Sequence, residues 1–314
     1  MVQVLIADDE PGIRSLIADY LDMLGFEPLG ARDGEQALSL FREYHPQVVL
    51  TDVMMPGLDG ISLLRAIKEE SPETAVVVMT GFGSDDMAIQ VLRAGAANYL
   101  RKPLQLSEVG RIIRKCLKWF LSEDQQVEPE EIAENERISF LIDNDPAAVP
   151  NAVRLLWRRC EMLVGAENAM PFRCGLEEIM LNAIEHGNLG IQFLEKASAL
   201  EKDEFDQLIS ERRQDPRYSP RKIHVEMSRK NDVLRFRIRD EGAGFDWQEW
   251  FGDPKEEHLP LANGRGIFLA RIHFHEIVYN EKGNEVTLSW HVGKSPYEDE
   301  EEEMLEITAQ EEMA

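Results

Sequence analysis

Apolar and polar positions follow two rhythms along the first third of the chain. Short apolar runs occur at Val2–Ala7, Gln47–Thr51, Ala75–Thr80 and Asn98–Arg101, with a weaker one at Glu27–Ala31. Runs this short and this continuous suit strands covered on both faces. Between them, Ile13–Leu24, Gln36–Tyr44, Ile61–Glu69, Asp85–Ala94 and Leu106–Phe120 carry apolar residues every three or four positions, the period of a helix with one buried face. Five strands alternating with five helices predict an α/β fold, a doubly wound five-stranded parallel sheet over residues 1–122.

The second half has a different pattern. Leu155 to about Leu189 reads as two helices. Ile223–Met227 and Val233–Asp240 alternate, with Leu234, Phe236 and Ile238 on one face and Arg235, Arg237 and Arg239 on the other, so they predict a hairpin with one solvated face. Gly264-Arg-Gly-Ile267 opens a further helix, and Phe193–Pro220 reads as a charged helical insertion with the character of a partner surface.

At 314 residues the chain is long enough for about two domains. The net charge of −25 is concentrated: Glu298–Ala314 holds nine acidic residues and no basic one, and Glu123–Glu136 holds seven and none. The expected organisation is a first domain over 1–122, an acidic linker over 123–136, a second domain over 137–293 and an acidic disordered tail over 294–314. With no basic footprint, a nucleic-acid partner is not expected. Neither a membrane span nor a signal peptide is expected, and Cys116, Cys160 and Cys174 lack pair or metal spacing, so a reduced, cytoplasmic setting fits.

In a doubly wound sheet, ligands bind beyond the carboxyl ends of the strands. Asp8 and Asp9 follow the first strand, Asp52 the third, Thr80 the fourth and Lys102 the fifth. Three carboxylates converging on one volume repel one another and call for a cation. Magnesium suits them, because it needs few carboxylates, keeps waters and binds phosphoryl oxygens. With Mg2+ bound, Asp52 is placed as a nucleophile toward an activated phosphoryl donor, and Lys102 offsets charge on the transferred group. The helix Leu106–Phe120 carries an apolar stripe that packs in the core, and its far end reads as a dimer seam or a rod to the next domain.

In the second half, Glu178, Asn182 and His186 are spaced i, i+4, i+8 and are expected on one helical face. The Asn182 oxygen suits Mg2+, with Glu178 one turn away as a base. Asp240 is suited to accept from an exocyclic amine, and the glycines of Asp240-Glu-Gly-Ala-Gly244 to let backbone approach a ligand. The first amides after Gly264 suit phosphate. His273 and His275 diverge on a helix and are not expected to bind metal, while Trp247, Trp250 and Phe251 read as packing.

Asp8-Asp9, Asp52-Val-Met-Met-Pro56-Gly57, Thr80 and Lys102-Pro103 together resemble a response-regulator receiver domain. The resemblance implies Asp52 as phosphoacceptor, Asp9 as a metal ligand, Asp8 acting through water and the Met54 carbonyl as a backbone ligand. It also implies Thr80 and Tyr99 as the switch pair, a cis bond at Lys102-Pro103, and an upstream histidine kinase or phosphotransfer protein as partner.

The order of asparagine helix, Asp-x-Gly-x-Gly and Gly-x-Gly resembles the GHKL (Bergerat-type) ATP-binding α/β sandwich over roughly 136–293. Glu178-x-x-x-Asn182-x-x-x-His186-Gly187 is most similar to its anti-sigma-factor serine kinase branch. The resemblance implies ATP as ligand, Glu178 as general base, Asn182 as Mg2+ ligand and Asp240 as the adenine contact. Gly242, Gly244, Gly264 and Gly266 would be the loops around the nucleotide, and the stretch from Phe245 to Gly264 a lid. The insertion departs from the family pattern, as does a family threonine near Gly283-Asn284 whose counterpart, Thr287, is displaced.

Two functions follow. One is a serine/threonine kinase acting on an anti-sigma-factor antagonist, gated by phosphorylation of Asp52. The other is an ATP-shaped module that sequesters a sigma factor or antagonist without phosphorylating it. A histidine kinase fused to a receiver is disfavoured, because residues 104–172 contain no histidine.

Overall fold

The computed structural model describes residues 2–81, 85–120, 131–248, 265–294 and 296. Strands β1 (Gln3–Ala7), β2 (Glu27–Ala31), β3 (Val48–Asp52), β4 (Ala75–Thr80) and β5 (Asn98–Arg101) alternate with helices α1 (Pro11–Met23), α2 (Gly34–Tyr44), α3 (Gly60–Glu70), α4 (Asp85–Arg93) and α5 (Leu106–Phe120). The strands pair in parallel in the order β2-β1-β3-β4-β5. Val4–Ala7, Val48–Leu50 and Ala75–Met79 are inaccessible to solvent, which is why these strands read as unbroken apolar runs. Asp33 and Asp59 cap α2 and α3, their carboxylates accepting from the Gln36 and Ser62 amides.

A second sheet is built from β6 (Arg137–Ile142), β7 (Ile223–Lys230), β8 (Val233–Arg239), β9 (Glu276–Tyr279) and β10 (Glu285–His291). Its order is β6-β7-β8-β10-β9 with every pair antiparallel. Between β6 and β7 run α6 (Val149–Val164), α7 (Ala169–Asn182), α8 (Phe193–Glu201) and α9 (Phe205–Gln214), and α10 (Arg265–His273) precedes β9. One sheet face presents Val225, Met227, Phe236, Ile238, Leu288 and Trp290, all buried. Phe172 of α7 is the hub of this core, with the rings of Trp157, Phe236, Phe274 and Trp290 centred 5.6, 5.3, 5.2 and 5.5 Å away. The opposite face carries Arg235, Arg237 and Arg239 in the open.

The hairpin, the helical insertion and the helix at Gly266 lie where the pattern placed them, whereas β6 and the β9–β10 hairpin had no reading of their own. Both β6 and β9 are edge strands with only partial burial, and their alternation is correspondingly weak. The chain divides into two compact units, Met1–Glu128 with Gly165–Pro171 and Pro129–Val164 with Phe172–Ala314. Residues 131–136 had been assigned to the linker, yet they fold with the second unit. Ile132 is fully buried and donates its N–H to Arg159 O, and the Glu136 carboxylate accepts from Arg159. Acidic composition masked one apolar anchor there. All three cysteines are free and buried, and no helix among the described residues is long and apolar enough to cross a membrane.

Candidate functional sites

At the carboxyl end of the first sheet, β1 delivers Asp8 and Asp9, β3 ends on Asp52, β4 ends on Thr80 and β5 leads into Lys102. Carboxylate oxygens of Asp8, Asp9 and Asp52 all lie within 4.8 Å of one another, with Asp8 and Asp52 buried and Asp9 exposed. The Lys102 ammonium donates to Asp52 at 2.6 Å and to Asp8 at 2.8 Å. Asp8 is further held by the Glu10 N–H at 2.9 Å, and Asp52 by the Met54 N–H at 3.4 Å. Burial pushes the Asp52 carboxyl above the usual range and the nearby Asp8 adds to this, while Lys102 and the Met54 N–H oppose it. For Lys102, burial works against the charged form, but its bonds to Asp52 and Asp8 outweigh it and the net shift is upward. Three acids around one buried volume, with a single ammonium against them, form a donor set that fits Mg2+.

Two details of the backbone shape this site. A Cβ at Gly60 would stand 2.0 Å from the Asp52 carbonyl, so α3 begins against β3 only because residue 60 has no side chain. The Lys102-Pro103 bond is cis, and the Lys102 N–H donates to Thr80 O at 2.8 Å, fixing the lysine beside the end of β4. Thr80 and Tyr99 are both buried.

In the second domain, Glu178 and Asn182 lie on α7 and face α10. A Cβ on Gly266 would meet Glu178 Oε2 at 2.5 Å and Asn182 Nδ2 at 3.1 Å, so the start of α10 rests on these two side chains. Asp240 closes β8 and is buried, accepting from the Gly242 N–H at 2.8 Å. Burial raises its carboxyl to about 6, against the pull of the Gly242 N–H and Lys282. A Cβ on Gly187 would fall 2.4 Å from the Asp240 carboxyl carbon. Carboxylates at Glu178 and Asp240, the Asn182 side-chain amide and a glycine-walled helix start form a set that fits a nucleotide with Mg2+.

The glycines of the Asp240 turn also meet a demand set by the protein backbone itself. A Cβ at Gly242 would stand 2.1 Å from Gly187 O, and one at Gly244, where φ is +81°, would stand 1.8 Å from Lys282 O. These approaches to protein backbone lock the turn onto Gly187, in the segment that follows α7, and onto the β9–β10 loop. Beside it, an opening of about 540 Å³ is lined by Gly244, Phe245, Trp247, Tyr279 and Lys282 among others. Trp247 stacks on Tyr279 and donates to Asn280 O, so it packs as expected. Gly264, Trp250, Phe251, most of the expected lid and all but the first residues of the acidic tail lie outside the described residues.

One expectation is corrected. Beyond Asn182 the helix becomes a π-helix, Ala183–Asn188, whose Leu189 N–H reaches back five residues to Ile184 O. Spacing by eight therefore no longer keeps His186 with Glu178 and Asn182. Its Nδ1 lies 2.6 Å from Ile191 O and its ring packs on Phe193, with burial lowering its basicity. Thr287 pairs across from Arg237 and lines a cleft with Arg235 and Arg237 on the open sheet face, so it does not stand in for a threonine at the nucleotide turn.

Several supporting residues gave no signal in the sequence. Asn284 donates its amide to Asp240 O at 2.9 Å and accepts the Asp240 N–H through its own carbonyl. Lys282 donates to Gly242 O at 2.8 Å, and Asn188 accepts from the Glu241 N–H at 2.7 Å. The order Gly283-Asn284 after a short strand was the available hint.

Two family models match the chain: the response regulator receiver domain over residues 4–114 and the histidine kinase-like ATPase domain over residues 142–290. Among curated relatives, regulatory protein AtoC of Escherichia coli strain K12 is 37% identical over 116 residues, which cover 37% of this chain and 25% of that protein. The probable transcriptional regulator ycf27 of Galdieria sulphuraria is 39% identical over 116 residues, 37% of this chain and 45% of that protein. The chain thus spans between a quarter and about half of the length of these relatives. A solved response regulator receiver domain protein from Clostridium thermocellum is 36% identical, covering 37% of this chain and 94% of that one with a TM-score of 0.36. With the parallel sheet, its acidic end and the separate antiparallel sheet described above, the chain joins a response regulator receiver domain to a histidine kinase-like ATPase domain of the GHKL type.

Proposed function

We propose that this protein is a response regulator whose phosphorylation at Asp52 controls an ATP-dependent serine/threonine kinase, with an anti-sigma-factor antagonist as the acceptor. The observation that carries the kinase reading is the packing of Gly266 directly against Glu178 and Asn182. It sets the Glu178 carboxylate and the Asn182 side-chain amide together at the start of a helix, where a nucleotide's phosphates are favoured. When bound, Mg2+ and ATP supply the activated phosphoryl group. Asn182 would hold the Mg2+ and the first amides of α10 the phosphates, Glu178 would take the proton from an incoming hydroxyl, and Asp240 would accept from the adenine amine. In the first domain, Asp8 and Asp9 hold Mg2+, Asp52 accepts a phosphoryl group from an external histidine kinase or phosphotransfer protein, and Thr80 and Tyr99 respond to it.

Transfer within the chain by way of a histidine is disfavoured by the connection between domains. Only residues 121–136 separate α5 from β6, and no histidine occurs from 104 to 172. A dimerising helical hairpin with an acceptor histidine has no room there. The test is transfer from [γ-32P]ATP to a candidate antagonist. Label that survives acid, and is lost with Glu178→Ala and Asn182→Ala, is expected. Acid-labile label overturns the serine/threonine reading, and ATP binding without any transfer favours sequestration.

A further inference from the structure

Asn188 is fully buried and stands where three segments of the second domain meet. Its Oδ1 accepts from the Glu241 N–H at 2.7 Å, and its Nδ2 donates to Asn144 Oδ1 at 2.7 Å. Asn144, also buried, donates its own amide to Tyr218 O at 2.9 Å. Both ends of this relay are backbone groups with a single role: the Tyr218 carbonyl only accepts and the Glu241 N–H only donates. The orientation of both amides follows. Flipping either one would set donor against donor at one end and acceptor against acceptor at the other.

The relay begins at the insertion. Arg212 of α9 donates to Tyr218 Oη at 3.1 Å and to Leu189 O at 3.2 Å. Three guanidinium groups, those of Arg212, Arg217 and Arg221, lie over the Tyr218 ring at 5.1 to 5.3 Å. Lys196 of α8 pairs with the buried Glu185 inside the π-helix. Arg221, just past the insertion, donates to Asn188 O at 2.7 Å. The relay ends on Glu241, the residue after Asp240, and Gly187, the residue before Asn188, abuts the Asp240 carboxyl. A shift of α8 and α9 therefore has a route to the turn through a buried, oriented amide pair.

We propose that Asn188 is a positioning residue for the Asp240 turn, and that through it the α8–α9 insertion sets the affinity and base selectivity of the nucleotide site. The inference rests on the reading of Asp240 as the group that accepts the adenine amine. A partner seated on α8–α9 would thereby change ATP affinity without touching the nucleotide.

The test is calorimetric titration of the full chain with ATP and with purine riboside triphosphate, which lacks the exocyclic amine. Wild type, Asn188→Ala and Asn144→Ala are compared, each with a thermal melt. Wild type is expected to prefer ATP. Because Asn188→Ala takes the relay partner from the Glu241 N–H and from Asn144 Oδ1 and frees the turn, ATP affinity is expected to fall about tenfold while the analogue changes by less than about twofold. Asn144→Ala, one bond further away, is expected to act in the same direction. If both variants melt earlier yet keep the wild-type preference for ATP, Asn188 is only scaffolding and the proposal is overturned. If wild type itself does not discriminate, the Asp240 reading falls first and this inference with it, an outcome the wild-type titration alone identifies.

Discussion

Lys102 Nζ donates to Asp52 Oδ2 at 2.6 Å, so a side chain placed by β5 neutralises a carboxylate placed by β3. The same ammonium also holds Asp8, which makes it the counter-charge of the two buried acids of the cluster. A phosphoryl group on Asp52 would take over that partner and give Lys102 a dianion in place of a carboxylate.

Removing that counter-charge separates metal binding from phosphorylation. Lys102→Met is expected to tighten Mg2+ binding, because a competing cation is gone while the three acids remain. It should also cost about 3 kcal/mol of stability without Mg2+, as two buried carboxylates lose their partner. Acyl-phosphate formation from acetyl phosphate should fall sharply in this variant and vanish in Asp52→Asn. Metal titration, urea melts and acid-urea gels read the three effects.

With Asp240 in the proposed adenine-contact role, ATP affinity is expected to depend on pH. Its carboxyl is raised to about 6, so it is ionised and able to accept at pH 7.5 but protonated below about 6. ATP affinity is expected to weaken by up to about tenfold per pH unit below that point, since protonation removes the charge that strengthens the acceptor and adds a competing O–H donor beside the adenine amine. Asp240→Asn should show weak binding with no such step. Titrations from pH 5 to 8 on both proteins decide it, and a step that persists in the variant would assign the dependence to another group.

Two glycine-to-alanine substitutions should have opposite signs. At Gly60 the added methyl meets the Asp52 carbonyl at 2.0 Å, and since that atom is backbone, β3 or α3 must move. A loss of at least about 2 kcal/mol and a parallel loss of phosphorylation at Asp52 are expected. At Gly12, in the first turn of α1, nothing lies within 4 Å. There the substitution is expected to be neutral or to stabilise by up to about 1 kcal/mol, from reduced chain entropy. Denaturant melts of the two variants make the comparison.

Phe172→Ala should uncouple the stabilities of the two domains. It removes the ring at the hub of the Trp157, Phe236, Phe274 and Trp290 cluster, at a cost of about 3–5 kcal/mol. Because the two sheets have separate cores, the second domain is expected to unfold at lower urea while Asp52 still accepts phosphate from acetyl phosphate. Tryptophan fluorescence follows the former and phosphorylation the latter, and joint loss of both would mean a shared core.

Much of the first domain was legible because its signals are local. Each strand is a few apolar residues long and each helix has one apolar face, and the rule that parallel strands present their carboxyl ends together brings Asp8, Asp52 and Lys102 to one edge. The second domain was legible as an ordered set of motifs but less so as a structure. The edge strands β6 and β9 carry few buried side chains, and Ile132 sits alone among acids. The switch to a π-helix after Asn182 left no periodic trace, so His186 seemed to stay with Glu178 and Asn182.

By itself, then, the sequence determined the alternation of strand and helix, the acidic residues at the strand ends and the order of the nucleotide-loop motifs, because each depends on neighbours a few residues away. Only the tertiary structure decided what surrounds Asp240. Gly187, Asn188, Lys282 and Asn284 come to it from positions some 40 to 50 residues away along the chain. Hydrogen bonds across such distances depend on how the elements pack, and an asparagine in a helix or a turn carries no local sign of the partner that packing will give it.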